Sequence, residues 1–412
     1  MAYSKVETVP LRPEAMLLLC CARTHIDTEK AEQIRQLLQE DIDWDYLIRV
    51  ALQHGMMPLL SWHLSAICSE AVPTATLHQL RSHFHTNAQH NLFLTGELLK
   101  LLNLLEGQGI SAVPFKGPIL ATIVYGNLAL RQFGDLDILV HEKDFVKTKG
   151  LLIAQGYQPW RQLTGAQEIR HLQSEHAYTF IRADGKVHVD LHWRFAQRRI
   201  AFALDPERLW ERLERIPLAG RSVPTLPPEE TLLILCMHGA KHSWGRLAWV
   251  CDVAELVRTH KEIKYEWVIE QVGRLHDRRR LILGLFLAQE FLGARLPEQV
   301  SHVMKTDPQV QSLALRVRVF LFSEEHSLLE AGKKITFFFR TKERLRDRVP
   351  YLFYHLRKMT VPTAKDFALL PLPPLLFFLY GVSRPIRLIA AYGWLSLKRL
   401  VIRDVPKNLP NK

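Results

Sequence analysis

The stretch Gly134-Asp135-Leu136-Asp137-Ile138-Leu139-Val140 decides the fold. It is short, apolar and alternating, which predicts a strand from Leu136 to Val140 with Asp135 at its mouth. Residues two apart on a strand share a face. Asp135 and Asp137 therefore project together, while Leu136 and Ile138 turn into a core. Neighbouring carboxylates repel, and a cation between them relieves the cost. Mg²⁺ takes oxygen ligands, usually one or two carboxylates plus substrate phosphates. The pair suits a metal–nucleotide complex, although solvated strand ends carry the same spacing.

Downstream, Lys186-Val187-His188-Val189-Asp190-Leu191-His192-Trp193 alternates strictly. His188, Asp190 and His192 share one face and Val187, Val189, Leu191 and Trp193 the other. If this strand lies beside the first, Asp190 completes a three-carboxylate cluster able to hold two Mg²⁺ ions. Asp190 could also serve as the base for an acceptor hydroxyl. A rim carboxylate paired with Lys186 or Arg194 is the plainer reading. His188 and His192 lie about 13 Å apart along the strand, too far to share one ion, so they read as rim or substrate-contacting groups.

Upstream, Ile110 to Phe115 is another short apolar run, followed by Lys116-Gly117-Pro118 and a helix from Ile119 to Tyr125. Gly117 lets backbone approach a phosphate, the helix start offers free N–H groups, and Lys116 can add a charge. A plain turn with an outward Lys116 is the alternative. Gly126 to Gly134 reads as a loop, in which Arg131 could reach phosphate or pair with Asp135. A helix from Glu142 to Gln155 ends at Gly156. Strands over His176 to Ile181 and Lys186 to Trp193 flank an Ala183-Asp184-Gly185 turn.

Helices surround this mixed unit. Glu14 to Arg23, Thr28 to Leu38 (Thr28 as N-cap), Asp43 to Ala66 and Thr76 to Gly107 read as helical before it. Glu229 to His242, Trp244 to His260, Tyr265 to Arg274 and Arg278 to Leu292 follow it. The expected class is α+β: a small mixed sheet flanked by N-terminal and C-terminal helical regions. The expected divisions are 1–107 helical, 108–226 the mixed core, 227–330 helices closing a cleft, and 331–412 a basic, Pro-interrupted helical segment.

The 412 residues carry 54 Lys and Arg against 42 Asp and Glu, a net charge of +12. That favours polyanionic partners, namely nucleotides, nucleic acid or an anionic membrane surface. With 48% hydrophobic and 23% charged residues, disordered and low-complexity classes are excluded. The five cysteines are odd in number and form no CxxC, as in a reduced cytoplasmic protein. Met1 to Glu14 has no signal-peptide core. The uncharged run Phe367 to Ser383 is interrupted by Pro371, Pro373 and Pro374 and falls short of the ~20 residues of a span. It reads as a buried or interfacial segment. Arg278-Arg279-Arg280 and the stretch Arg340 to Lys358, with Tyr351, Phe353 and Tyr354, read as solvated basic faces or contacts to an anionic membrane or nucleic acid.

His238 and His242 share a helix face. Gly239 stands where a zinc protease needs its Glu, which excludes that chemistry. The two histidines read as lining the cleft or packing against Trp244 and Trp249. Lys241 and Arg246 could meet phosphates, and Asp252 could orient either histidine.

Taken in order, Phe115-Lys116-Gly117, Tyr125-Gly126, Leu130-Arg131, Phe133 to Val140, Gly156-Tyr157 and His188 to Trp193 resemble the uncharacterised branch of the nucleotidyltransferase superfamily. The flanks Trp44 to Leu60 and Leu232 to Leu256 are similar to that branch as well. The resemblance implies a nucleotidyltransferase fold in which Asp135, Asp137 and Asp190 are catalytic and metal-binding. Gly117 would occupy the phosphate-loop position. From the residues themselves, Lys116, Arg131 and His242 join Gly117 as candidate nucleotide-binding residues. One feature departs from the wider superfamily, which usually has Gly-Gly or Gly-Ser closer to its Asp-x-Asp. Here it is Lys116-Gly117, eighteen positions before Asp135.

The expectation is an enzyme, a Mg²⁺-dependent nucleotidyltransferase using two ions, with Mn²⁺ as substitute. It would move an NMP group from an NTP to a small-molecule, peptide, protein or RNA hydroxyl, in the cytoplasm or peripherally at a membrane. A catalytically silent scaffold and, more weakly, a metal-dependent glycosyltransferase are the rivals.

Overall fold

The computed structural model describes residues 11–163, 165–195, 206–274, 277–305, 307–322 and 330–344, and short pieces between 348 and 387. The chain forms two compact units, Met1–Ser323 and Glu324–Lys412.

The first unit opens with α1 (Pro13–Cys21), α2 (Thr28–Leu37), α3 (Trp44–His54) and α4 (Met57–Ile67). Asp27, rather than Thr28, caps α2 by accepting from the Lys30 N–H at 2.8 Å. The run expected as one helix over Asp43 to Ala66 is two, because Gly55 takes a left-handed φ of 70° and ends α3. The 34-residue α5 (Thr74–Gly107) follows.

Next come β1 (Ala112–Pro114), α6 (Pro118–Ile123), β2 (Asp135–Val140), α7 (Phe145–Ala154), β3 (Tyr157–Pro159), α8 (Gly165–Ser174), β4 (Ala177–Arg182) and β5 (His188–His192). The strands form one mixed sheet in the order β1-β2-β5-β4-β3. Only β2 and β5 run parallel, and the register sets Asp137 beside Asp190 and Asp135 beside His188. The sheet is small and helices flank it, so the class is the expected α+β. Strand β3 and helix α8 go beyond the expected elements. A short 3₁₀ turn, Glu142–Asp144, replaces the first turn of the helix expected from Glu142.

Each face of the sheet has its own core. Leu136, Ile138, Val189 and Leu191 pack with Leu94, Leu98, Leu101 and Leu105 of α5 and with Phe145 of α7. Burying each leucine contributes about 1.5–3 kcal/mol. On the opposite face Val113, Phe115 and Leu139 meet Leu209, Leu226 and Ile234, and this face also carries the two strand aspartates.

The unit continues with α9 (Pro206–Glu211), the hairpin β6 (Glu214–Leu218) and β7 (Arg221–Thr225), then α10 (Pro228–Lys241), α11 (Leu247–Thr259), α12 (Tyr265–Arg274), α13 (Arg278–Leu292), α14 (Glu298–Lys305) and α15 (Pro308–Phe322). The hairpin, absent from the sequence reading, turns on Ala219 and Gly220, both at positive φ. Ser243 and Trp244, between α10 and α11, also have positive φ, at 55° and 54°. Trp244 is fully buried. A Cβ on Gly239 or Gly284 would come within 2.5 Å of the Trp244 ring or 3.0 Å of it, respectively. Two glycines thus make the slot that holds this indole, which gives Gly239 a packing role.

In the second unit α16 (Glu330–Thr341) buries Phe337 and Phe338. Tyr380, buried, donates to the Leu370 carbonyl. Residues 345–347 and 350–368, most of the expected basic stretch, lie outside the described residues, as does part of Phe367 to Ser383. Among the described residues no helix is long and apolar enough to cross a membrane.

Candidate active site

Strand β1 sets the site up. The Phe115 N–H donates to the Asp137 carbonyl at 3.3 Å, extending the β1–β2 ladder by one residue. Lys116 is therefore delivered over β2, and its Nζ donates to Asp137 Oδ1 at 3.1 Å. It is an inward lysine, with 16% of its side chain exposed. Gly117 follows at φ 52°, ψ −123°, a conformation that favours glycine. A Cβ there would meet the Asp135 carbonyl at 3.2 Å. The chain thus turns tightly against the mouth of β2. The helix that starts here, α6, has only six residues, and its first is a proline without an N–H. Gly117 contributes close backbone approach rather than a long helix dipole.

Asp137, Asp190 and His192 bring one donor atom each within 4.8 Å of one another. His192 Nε2 lies 3.0 Å from Asp137 Oδ1, the oxygen that also receives Lys116. Thr179 on β4 donates to Asp190 Oδ1 at 2.6 Å. Asp135 sits one register step away at the strand mouth and is exposed. The sequence reading groups three carboxylates; the cluster here is two carboxylates, buried Asp137 and half-buried Asp190, and a buried imidazole, with Asp135 at its rim. Along its own strand His192 has only the distant His188 as a companion imidazole. The partner that matters is across the sheet, on β2, and the shared face of Asp190 and His192 was the signal for it.

The charges are strongly perturbed. Burial pushes the Asp137 carboxyl up, but the Lys116 charge and the His192 hydrogen bond outweigh it and hold it well below the usual range. Asp135 is shifted the other way, upward, by the surrounding protein mass and by the Asp137 carboxylate. Facing these acids is a basic wall. Burial, then the charges of His192 and Lys241, push His176 down to about 2. Burial followed by Lys116 lowers both His238 and Lys241. Lys241 Nζ lies 3.5 Å from His176 Nε2. The His238 and His242 rings lie 4.7 Å apart, tilted by 51°, each about 5 Å from Trp249. The two histidines pack on Trp249, as the structural expectation had it, and His238 feels the Asp137 and Lys116 charges.

Arg131 is placed differently from either expectation. Its guanidinium forms a two-point pair with Asp252 of α11, at 2.8 and 2.9 Å, instead of reaching Asp135. Tyr125 donates to the same carboxylate at 2.7 Å. Asp252 therefore fixes the loop and does not orient His238 or His242. Asn91 of α5 holds the other side of that loop through the carbonyls of Leu128 and Arg131, at 2.6 and 2.7 Å. The segment entering β2 is clamped from both flanks.

A family model described as "Uncharacterised nucleotidyltransferase" matches residues 40–293, well over half of the chain. The chain belongs to this nucleotidyltransferase family. The match spans α3 through α13, so it takes in the whole mixed sheet, the Arg131–Asp252 clamp and the α10–α11 wall. No curated protein matches the chain. A solved structure of an antigenic nucleotidyltransferase-like protein from Paracoccidioides brasiliensis matches 52% of this chain and 96% of its own, at 15% identity and a TM-score of 0.30. For a nucleotidyltransferase a divalent cation is the implied cofactor, and the donor set suits one: the buried Asp137 and half-buried Asp190 carboxylates on adjacent strands, with the His192 imidazole beside them.

Proposed function

We propose that this nucleotidyltransferase moves an NMP group from an NTP to a hydroxyl acceptor and releases pyrophosphate. The observation that carries the reading is the meeting of three acids, Asp135, Asp137 and Asp190, with the bases Lys116, Lys241 and His238 in one charged group. The acids suit cations, and the bases suit a polyphosphate.

Asp135, Asp137 and Asp190 would hold Mg²⁺, two ions in our reading, with Mn²⁺ as substitute. Such ions neutralise the triphosphate and ease loss of the acceptor proton. Lys116 and the backbone at Gly117 contact phosphate oxygens, and Lys241 adds a second charge. His242, beside Trp249, lies on the nucleoside side. Asp190, with Thr179 on its Oδ1, takes the hydroxyl proton. The acceptor oxygen then attacks the α-phosphorus and pyrophosphate departs. Arg131 acts as a positioning residue, because its donors are committed to Asp252. The acceptor is a small molecule, a peptide or protein side chain, or RNA. We place the reaction in the cytoplasm, or at the inner surface of a membrane through the basic C-terminal region, consistent with five free thiols.

The test is thermal melting of wild type and of the Asp135→Ala/Asp137→Ala variant with each of the four NTPs, with and without Mg²⁺. A hundredfold excess of ligand over Kd stabilises by about 2.7 kcal/mol. A Mg²⁺-dependent shift for one NTP, lost in the variant, supports the reading and names the donor. A shift that survives in the variant favours a binding module. A shift only with nucleotide sugars favours glycosyl transfer.

A further inference from the structure

We infer that His192 is itself a metal ligand, so that the deeper cation position, formed with Asp137 and Asp190, takes Mn²⁺ in preference to Mg²⁺. The inference deepens the metal part of the reading above and rests on it only to the extent that a divalent cation binds at all.

Three observations carry it. First, one ring nitrogen of His192 and one oxygen each of Asp137 and Asp190 lie within 4.8 Å of one another, close enough for a single ion to reach all three, and Nε2 is the nitrogen that lies 3.0 Å from Asp137. Asp135 belongs to a different step of the register, beside His188. Second, the ring is set for ligation. Its Nδ1 faces the Arg194 carbonyl at 3.4 Å, which leaves Nε2 aimed at Asp137, and metal-bound histidines commonly pair their other nitrogen with a carbonyl in this way. Phe115 packs edge-on against the ring at 5.0 Å and limits its rotation. Third, the companion ligands are braced as well. Thr179 donates to Asp190 and Lys116 to Asp137. A braced donor set of three oriented groups, one of them an imidazole, is more than a cluster of surface acids.

The chemistry then selects the ion. Mg²⁺ keeps oxygen ligands in a near-ideal octahedron and gives up water reluctantly. Carboxylates suit Mn²⁺ as well as Mg²⁺, and an imidazole in the set favours a first-row transition ion, so of these two ions the mixed set favours Mn²⁺. The exposed Asp135 and the outer side of Asp137 offer only oxygen, which leaves the rim to Mg²⁺. The two positions would thus differ in preference.

The experiment is electron paramagnetic resonance of the full chain, stripped of metal and titrated with MnCl₂, alone and with a non-hydrolysable NTP. Loss of the free Mn²⁺ signal measures binding, and pulsed spectra read nitrogen coupled to the bound ion. We expect imidazole nitrogen coupling that converts to the ¹⁵N pattern when the histidines are ¹⁵N-labelled. His192→Asn should abolish it and weaken Mn²⁺ at least tenfold while changing Mg²⁺ competition less than threefold. His176→Asn and His238→Asn should retain it, which identifies His192 even if His192→Asn does not fold. Bound Mn²⁺ without nitrogen coupling, or coupling lost with His176 or His238 instead, overturns this inference and leaves nucleotidyl transfer standing. No bound Mn²⁺ under either condition overturns both.

Discussion

Arg131 and Asp252, 121 positions apart, meet in a buried two-point pair, with Nε on Oδ1 at 2.8 Å and Nη2 on Oδ2 at 2.9 Å. Tyr125 completes the carboxylate's partners. The pair ties the loop entering β2 to α11, so one wall of the cleft is fixed relative to the aspartates. Removing one member leaves the other buried without its counter-charge, which costs about 3–5 kcal/mol. Asp252→Ala should lose about that much in urea unfolding, and Tyr125→Phe only about 1 kcal/mol. A loss under about 1 kcal/mol for Asp252→Ala would show that the clamp is not a structural tie.

Trp244 supplies a second fixture. It is held in a strained turn and seated on two glycines. Gly239→Ala would force a methyl into the ring at 2.5 Å, and overpacking of this kind costs about 1–3 kcal/mol. Because α10 carries His238 and Lys241 and is followed by His242, the damage should also reach nucleotide binding. We expect a lower Tm together with a weaker NTP-induced shift. A Gly273→Ala control, at a position where a Cβ meets nothing within 4 Å, should show neither.

Much of this was legible in the sequence, and the boundary has physical causes. Alternation placed Asp135 and Asp137 on one face and Asp190 on the matching face of its own strand, because strand period is a local property. The same logic found α5 from its leucines. What was lost depends on distant partners or weak local codes. Arg131 could not be assigned to Asp252 without knowing that α11 packs on the loop. Sequence spacing shows His192 only its own strand, whereas its contact is across the sheet. The β6–β7 hairpin hides behind Pro217 and Pro224 and behind Ala219 at positive φ, where glycine or asparagine is the usual signal. The direction of Lys116 follows from one backbone hydrogen bond, Phe115 to Asp137, that no sequence pattern announces.

Acid should weaken the fold early. Burial lowers His63, whose Nε2 contacts the Arg23 carbonyl at 2.7 Å, and it also lowers His176 and His238. An unfolded histidine binds its proton near pH 6.5, while these remain neutral in the folded chain. Between the two values the unfolded state holds more protons, so stability rises with pH. It is complete above about 6.5 and declines as pH falls below that. For His176, held near 2, the loss by pH 5 is of order 2 kcal/mol. Tm should therefore fall from pH 7.5 to pH 5, and His63→Gln and His176→Asn should each flatten the curve. A flat wild-type profile over that range would contradict the buried neutral state.

The two aspartates of β2 should respond in opposite directions when neutralised. Asp137 is 4% exposed and shares one oxygen between Lys116 and His192. Its carboxyl is held far down by those partners against the pull of burial, so its charge stabilises the fold above the unfolded carboxylate value and is missed when removed. Asp135 is exposed, and its carboxyl is held up by desolvation and by Asp137. Its charge opposes folding at neutral pH, and solvent limits that cost to less than about 1 kcal/mol. Asp137→Asn should lower Tm, while Asp135→Asn should leave it unchanged or raise it slightly. Both should abolish the Mg²⁺-dependent NTP shift. A functional site keeps an unfavourable charge because the ligand needs it, so a more stable Asp135→Asn protein that no longer binds nucleotide is the outcome that separates a working carboxylate from a solvated strand end. If Asp135→Asn keeps the full shift, Asp135 is only the mouth of the strand.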